Sequence, residues 1–175
     1  MTSNAIDLAA ELQFALSLAD AADALTLPRF AARNFTVDLK ANQTEVTEVD
    51  RGTETLIMDL IRAQRPHHAW YGEEHGSGGD GEYTWVIDPI DGTTNFSRQI
   101  PHFCVSIACM ELGKLKHGII INPITQEEFI ASRGRGAQLN GRKIRVSNRE
   151  KPEGGLFASA GSYRHDRFEG HSKTV

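Results

Sequence analysis

Apolar residues recur at three- and four-residue steps at the start of the chain: Leu8, Leu12, Ala15, Leu16, Ala19 and Ala22. That spacing predicts a helix with one apolar stripe. Pro28 lacks a backbone donor and crowds the preceding turn, which limits how far the helix runs undisturbed. Val37 and Leu39 alternate with polar neighbours and predict a short strand. A second helix is predicted over Val49 to Gln64, with Val49, Thr53, Leu56, Ile57, Leu60 and Ile61 on one side and Pro66 as its stop.

From Ala69 the pattern turns to β. Thr84 to Ile90 is a compact run rich in β-formers, and Phe103 to Leu112 and Leu115 to Ile121 flank Gly113-Lys114, a predicted tight hairpin. Glu127 to Ser132 is a further strand. Asn140-Gly141, between Ala137–Leu139 and Lys143–Val146, predicts a type I′ turn. Two stretches read as loops: Glu74 to Glu82, which holds Gly76, Gly78, Gly79 and Gly81, and the polar end from Arg164 to Val175. The expected fold class is therefore α+β, with two amino-terminal helices packed on an antiparallel sheet. One domain is expected over 1–163, with an irregular tail over 164–175.

Composition supports a folded chain. Its 175 residues suit one domain, and 39% hydrophobic with 24% charged residues is the balance of a globular protein. A net charge of −4 argues against a nucleic-acid or membrane partner. The most basic stretch, carrying Arg133, Arg135, Arg142, Lys143, Arg145 and Arg149, reads as a solvated hairpin face. No apolar run approaches the roughly 20 residues of a membrane span, and Met1 to Ala10 shows no signal-peptide pattern. Cys104 and Cys109 stand an odd number of residues apart on a predicted strand, which sends them to opposite faces. Buried, reduced thiols and a cytoplasmic location are expected. His67, His68 and His75 read as surface residues.

The chemistry is concentrated in Trp85-Val86-Ile87-Asp88-Pro89-Ile90-Asp91-Gly92-Thr93-Thr94-Asn95-Phe96. An apolar strand runs out into two carboxylates whose burial is costly unless something compensates their charge. Pro89 removes a donor and Gly92 permits a sharp turn, so both aspartates can converge. Carboxylates without nearby Cys or His ligands favour a hard, oxygen-seeking cation, magnesium before zinc. Glu73-Glu74 supplies a second acidic element, and Asp50 a third near the start of the second helix, where the helix dipole also favours an acid.

Other readings of the motif fare worse. An EF-hand loop needs ligands at positions 1, 3 and 5 and a glycine at 6; here the second acid stands at position 4 and the glycine at 5. The haloacid-dehalogenase phosphatases use Asp-x-Asp-Gly-Thr, one residue shorter than Asp88 to Thr93. An Asx-capped turn accounts for one or two aspartates and leaves Glu73-Glu74 unexplained.

Asp88-Pro-Ile-Asp91-Gly92-Thr93-Thr94-Asn95-Phe96, preceded by Gly72-Glu73-Glu74, resembles the signature of the inositol monophosphatase family, and the similarity runs from the first helix through about Ser162. The resemblance implies a layered sugar-phosphatase-like fold and two or three magnesium ions. It implies that Glu73, Asp88 and Asp91, with the Ile90 carbonyl, ligate metal. Glu73 and Thr93 would position the attacking water, with Asp50 orienting the Thr93 hydroxyl. Glu73, Ile90, Asp91, Gly92 and Thr93 would face the substrate, the Gly92 and Thr93 amides receiving phosphate. Lys40 is similar to a family lysine near the mouth. A homodimer is also implied.

Charge supports that division of labour. Glu73, Asp88 and Asp91 carry −3 between them, and a phosphomonoester at neutral pH approaches −2. At about 4 Å each like pair repels by roughly 1–4 kcal/mol, so the metal-free site expels its substrate and two divalent cations reverse the sign.

Family members also carry Trp-Asp-x-x-Ala-Gly further on, whose aspartate completes the second metal site. In this chain Trp70 and Trp85 are followed by Tyr71 and Val86, so the motif is absent. The expectation is a chain lacking the family's carboxy-terminal α/β half, with a weakened second metal site and low activity unless another chain supplies it. An exposed sheet edge should promote association. The expected substrate is inositol monophosphate. Histidinol phosphate is the alternative, because Val37 to Lys40 and Val46 to Arg51 are similar to histidinol-phosphate phosphatases. A non-catalytic binding or dimerisation module is the second alternative.

Overall fold

The structure is a computed structural model and describes residues 8–155. Residues through Arg145 form one compact unit; those from Val146 onward form a second, of which residues 146–155 are a short turn region tied by Arg149 to the Glu153 carbonyl at 2.7 Å. The predicted tail over 164–175 lies outside the described residues.

Helix α1 spans Leu8–Ala32. Its buried side is Glu11, Phe14, Ala15, Leu18, Ala19, Ala22 and Thr26, with Leu12 and Leu16 only half-buried. The helix also runs through Pro28, contrary to the expected limit. Leu25 and Phe30 pack on either side of the proline into an aromatic cluster of Phe96 and Phe103, and that burial outweighs one lost helical hydrogen bond.

Strands β1 (Val37–Leu39) and β2 (Glu45–Thr47) make a small hairpin. It leads directly into α2 (Glu48–Gln64), whose start is capped by Thr47. The main sheet takes β3 (Ala69–Gly72), β4 (Gly76–Gly78), β5 (Tyr83–Asp91), β6 (Cys104–Glu111), β7 (Lys114–Asn122), β8 (Glu127–Ser132), β9 (Gly136–Leu139) and β10 (Arg142–Ile144). Its order is β10-β9-β8-β7-β6-β5-β3-β4, and a short helix α3 (Thr93–Ser97) follows β5.

The α+β layering is as expected, but the sheet is mixed: β3 pairs with β5 in parallel. The meander from β5 onward is antiparallel throughout. The Gly-rich stretch read as a loop contains β4, because Gly78 and Gly79 leave room for the Trp70 ring, which a Cβ at either position would strike. The turn between β6 and β7 is Leu112-Gly113, one residue earlier than predicted, with both residues at positive φ. Asn140 and Gly141 also take positive φ (49° and 74°), matching the I′ turn. The last strand ends at Ile144 rather than Val146.

One face of the sheet carries the core: Trp85, Ile87, Val105, Ile107, Cys109, Ile119 and Ile121 pack against α1 and α2. The opposite face leaves Leu115, Ile120 and Phe129 exposed. Cys104 and Cys109 are free thiols, Cys109 buried as expected but Cys104 only half-buried, since it lies beside Asp91 at the edge of the core. His68 corrects the surface reading, being buried with its Nδ1 accepting the Trp85 indole N–H at 3.0 Å. The basic residues Arg133, Arg135, Arg142, Lys143 and Arg145 are exposed, as expected. Among the described residues no helix is long and apolar enough to cross a membrane.

Candidate active site

Two residues three apart on a regular strand point to opposite faces, so Asp88 and Asp91 need a local irregularity to meet. The structure supplies one. Asp88 pairs with Ser106 and Asp91 with Cys104, so between these pairs two residues of β5, Pro89 and Ile90, oppose one of β6, Val105. The extra residue is a β-bulge. Pro89 suits it, since a bulge leaves a backbone position without a ladder bond. Ile90 turns inward, 1% exposed, onto Phe96 and Phe103. Gly92 follows at φ 95°, where a side chain is strained, and α3 begins at Thr93.

The parallel pairing brings in the second acidic element. Gly72 and Ile87 are partners, so β3 ends alongside β5 one residue short of Asp88, and Glu73 emerges next to that aspartate. The Glu73 amide donates to the Ile87 carbonyl at 3.2 Å. Ligand sites in sheets with parallel strands gather at such carboxyl ends.

Asp88 is the most perturbed acid here. Burial pushes it up to about 7, helped by the neighbouring charges of Glu73 and Asp91. Its Oδ1 is buried and has no partner. Lys40, at the turn between β1 and β2, donates to Glu73 Oε1 at 2.8 Å and to Glu74 Oε1 at 2.5 Å. Burial pulls the lysine down, but the two carboxylates outweigh it and hold the ammonium above its ordinary value. Glu74 is raised, by burial first, against the pull of Lys40.

Thr93 stands opposite. Its hydroxyl lies 2.8 Å from Asp50 Oδ1 and 3.1 Å from the Ile90 carbonyl. Asp50 is 1% exposed on the first turn of α2, and its Oδ2 takes the Thr47 amide at 2.8 Å and the Thr47 hydroxyl in a reciprocal cap. Burial raises Asp50 against these hydrogen bonds. Cys104, beside Asp91, is pushed up to about 12 by burial and by the Asp91 and Asp88 charges, so its thiol stays protonated.

The residues named from the sequence are thus brought together: Glu73 against Asp88, Asp91 within electrostatic reach, Thr93 on Asp50. Among the described residues no three His, Cys, Asp or Glu side chains surround one point as a closed ligand set. Glu73 instead leans on Lys40. The donors nevertheless fit a hard metal ion: all are oxygens, and Asp88 offers a dry, unpartnered one.

Sequence reasoning missed Glu54. It is 0% exposed on α2 and accepts the Glu74 and His75 amides at 2.8 and 2.7 Å. Its signal was available: an acid four residues after Asp50, on the same helix side as Ile57, Met58 and Ile61.

A model described as the inositol monophosphatase family matches residues 7–174. Among curated proteins the chain is similar to Nus factor SuhB of Pseudomonas aeruginosa, 49% identical over 139 residues, or 77% of this chain and 51% of that protein. It is 40% identical over 131 residues to Nus factor SuhB of Escherichia coli K12, covering 74% and 49%. Among solved structures it is similar to the extragenic suppressor protein suhB from Bartonella henselae, with TM-score 0.75 and 37% identity over 80% of this chain and 55% of that one. The IMPase of Thermotoga maritima gives TM-score 0.72 and 36% identity over 79% and 54%. The chain spans about half the length of the curated relatives it matches.

Proposed function

The chain belongs to the inositol monophosphatase family, and from that premise we propose that it carries the acidic half of a magnesium-dependent phosphomonoesterase site, acting on a small phosphorylated alcohol with inositol monophosphate first and histidinol phosphate second. The observation that carries this reading is Asp88, a partly buried carboxylate with one buried, unpartnered oxygen, beside Glu73 and within electrostatic reach of Asp91. Among the described residues no cation pairs with it, since Lys40 engages Glu73 and Glu74 instead.

In this reading Glu73, Asp88, Asp91 and the Ile90 carbonyl hold the ions. When bound, magnesium offsets the acids' charge, admits the phosphate and acidifies a water. Asp50 takes the Thr93 hydroxyl proton as a hydrogen bond, which leaves the Thr93 oxygen lone pairs to accept from the attacking water. Glu73 is the second acceptor for that water. The amides of Gly92 and Thr93 face the phosphate. Cys104, held protonated, takes no part as a nucleophile, so the phosphoryl group goes directly to water. A homodimer in the cytoplasm completes the reading.

The test is phosphate release by the purified chain with magnesium across inositol, histidinol, sugar and nucleotide phosphates, paired with thermal melts. Magnesium should raise the melting temperature of the wild type and leave Asp88→Asn unmoved. If magnesium does not stabilise the wild type, the metal-site reading fails.

A second reading is favoured by the relatives named Nus factor, at 49% and 40% identity: a role in transcription that needs the surface and not the acids. It predicts that Asp88→Asn keeps the biological activity of the wild type, whereas the phosphatase reading predicts its loss.

A further inference from the structure

Glu73 is half-exposed on a turn, yet a water and an ion need it fixed to a few tenths of an ångström. Its own fastenings are few: the backbone bond to Ile87 and the exposed contact with Lys40. The turn is held from beneath. Glu54, with a side chain 0% exposed, accepts the Glu74 amide on Oε2 at 2.8 Å and the His75 amide on Oε1 at 2.7 Å, and the His75 ring Nδ1 lies 3.0 Å from Oε1. Two consecutive amides converging on one carboxylate fix the path of the chain just after Glu73. Gly72, just before it, has no side chain, and a Cβ there would land on the Glu54 carboxylate.

We propose that Glu54 is the positioning residue of the metal site: its buried carboxylate clamps the Glu73–Glu74 turn to α2. Asp50 lies four residues earlier on the same helix, about 6 Å along its axis, and holds Thr93. One rigid helix therefore sets the spacing between the Glu73 loop and the Thr93 loop. A glutamine could not substitute, because one of its two terminal atoms is a donor and would face an amide that also donates. An apolar residue would leave the Glu74 and His75 amides, both part-buried, without this partner.

This inference rests on the metal-site reading, and the experiment separates the two. Mn2+ binding to the full 175-residue chain is measured by electron paramagnetic resonance, alongside circular-dichroism melts without metal. The wild type binds, Glu54→Gln stays folded and binds at least tenfold more weakly, in the range expected when a group supporting a ligand is lost. His75→Ala removes only the ring contact and binds within twofold of wild type. Gly72→Ala displaces the carboxylate from the other side while leaving it charged, and weakens binding in the same direction, so it decides the matter if Glu54→Gln fails to fold. Unchanged Mn2+ affinity in Glu54→Gln, or in Gly72→Ala where that variant decides, overturns the proposal alone. A wild-type chain that binds no Mn2+ overturns the site reading and this proposal with it.

Discussion

Replacing Asp88 by Asn should make the metal-free protein more stable while removing its response to magnesium. The ordinary aspartate value of 3.8 becomes about 7 in the folded state, with burial as the main cause. Each pKa unit corresponds to about 1.4 kcal/mol, so the raised value implies a penalty of at most about 4 kcal/mol once the group is ionised. Asp88 is only partly buried, and solvent screening reduces this to about 2 kcal/mol. Because the folded value is raised, the stability this group lends is complete below pH 3.8 and is lost as pH climbs to about 7. Asparagine does not titrate. Its advantage over the wild type should therefore be absent near pH 4, grow to about pH 7 and level off above it. For a chain of this size about 2 kcal/mol corresponds to roughly 4–8 °C in Tm. Melts of both proteins in EDTA at pH 4 and 8 measure it, and adding magnesium at pH 8 should reverse the order. An asparagine variant that melts below wild type at pH 8 in EDTA, or by a margin independent of pH, would refute the reasoning.

Thr93→Val should cost about 1–3 kcal/mol at pH 7, the price of leaving a buried Asp50 oxygen without its donor; denaturant melts measure it, and Thr93→Ser should restore most of the loss. Lys40→Met removes a competitor for Glu73 and should tighten Mn2+ binding about two- to fivefold, the worth of a partly exposed ion pair, read from the same resonance titration. Asp23→Asn concerns a carboxyl on α1 raised to about 6 by burial and by Asp20, with one oxygen unpartnered. After discounting for its partial exposure, it should gain about 1 kcal/mol at pH 8 and nothing at pH 4, as seen in urea midpoints.

The segment from Asp88 to Thr93 was legible because everything it needs is local: a proline where a ladder bond is missing and a glycine at positive φ. How its two aspartates come to one side was not, since the bulge is defined only against Ser106 and Cys104 on the next strand. The meeting of Glu73 and Asp88 depends on a parallel pairing of strands separated in sequence by β4, which no periodicity reveals. His68 lies beside other polar residues in sequence and is buried because Trp85 needs an acceptor. Pro28 reads as a helix limit by a local rule, and the Phe96–Phe103 cluster overrides it. In each case the missing information was a partner distant in the chain.

The burial of the acids also sorts their tasks. Asp50 and Glu54 are at most 1% exposed, and each is held by hydrogen-bond donors. The Glu74 side chain is 6% exposed and rests on Lys40, while the Glu73 side chain is 47% exposed. A carboxylate already supplied with donors gains little from a cation, because binding would have to replace bonds it has. Asp88 is different: of the acids in this site it alone has a buried oxygen with no partner. The free energy released on placing a cation there is correspondingly greatest, since the unmet desolvation cost is greatest. Affinity should thus be governed by Asp88, and geometry by Asp50 and Glu54 beneath it. Substitutions at the first should abolish binding, and at the other two should weaken and misplace it.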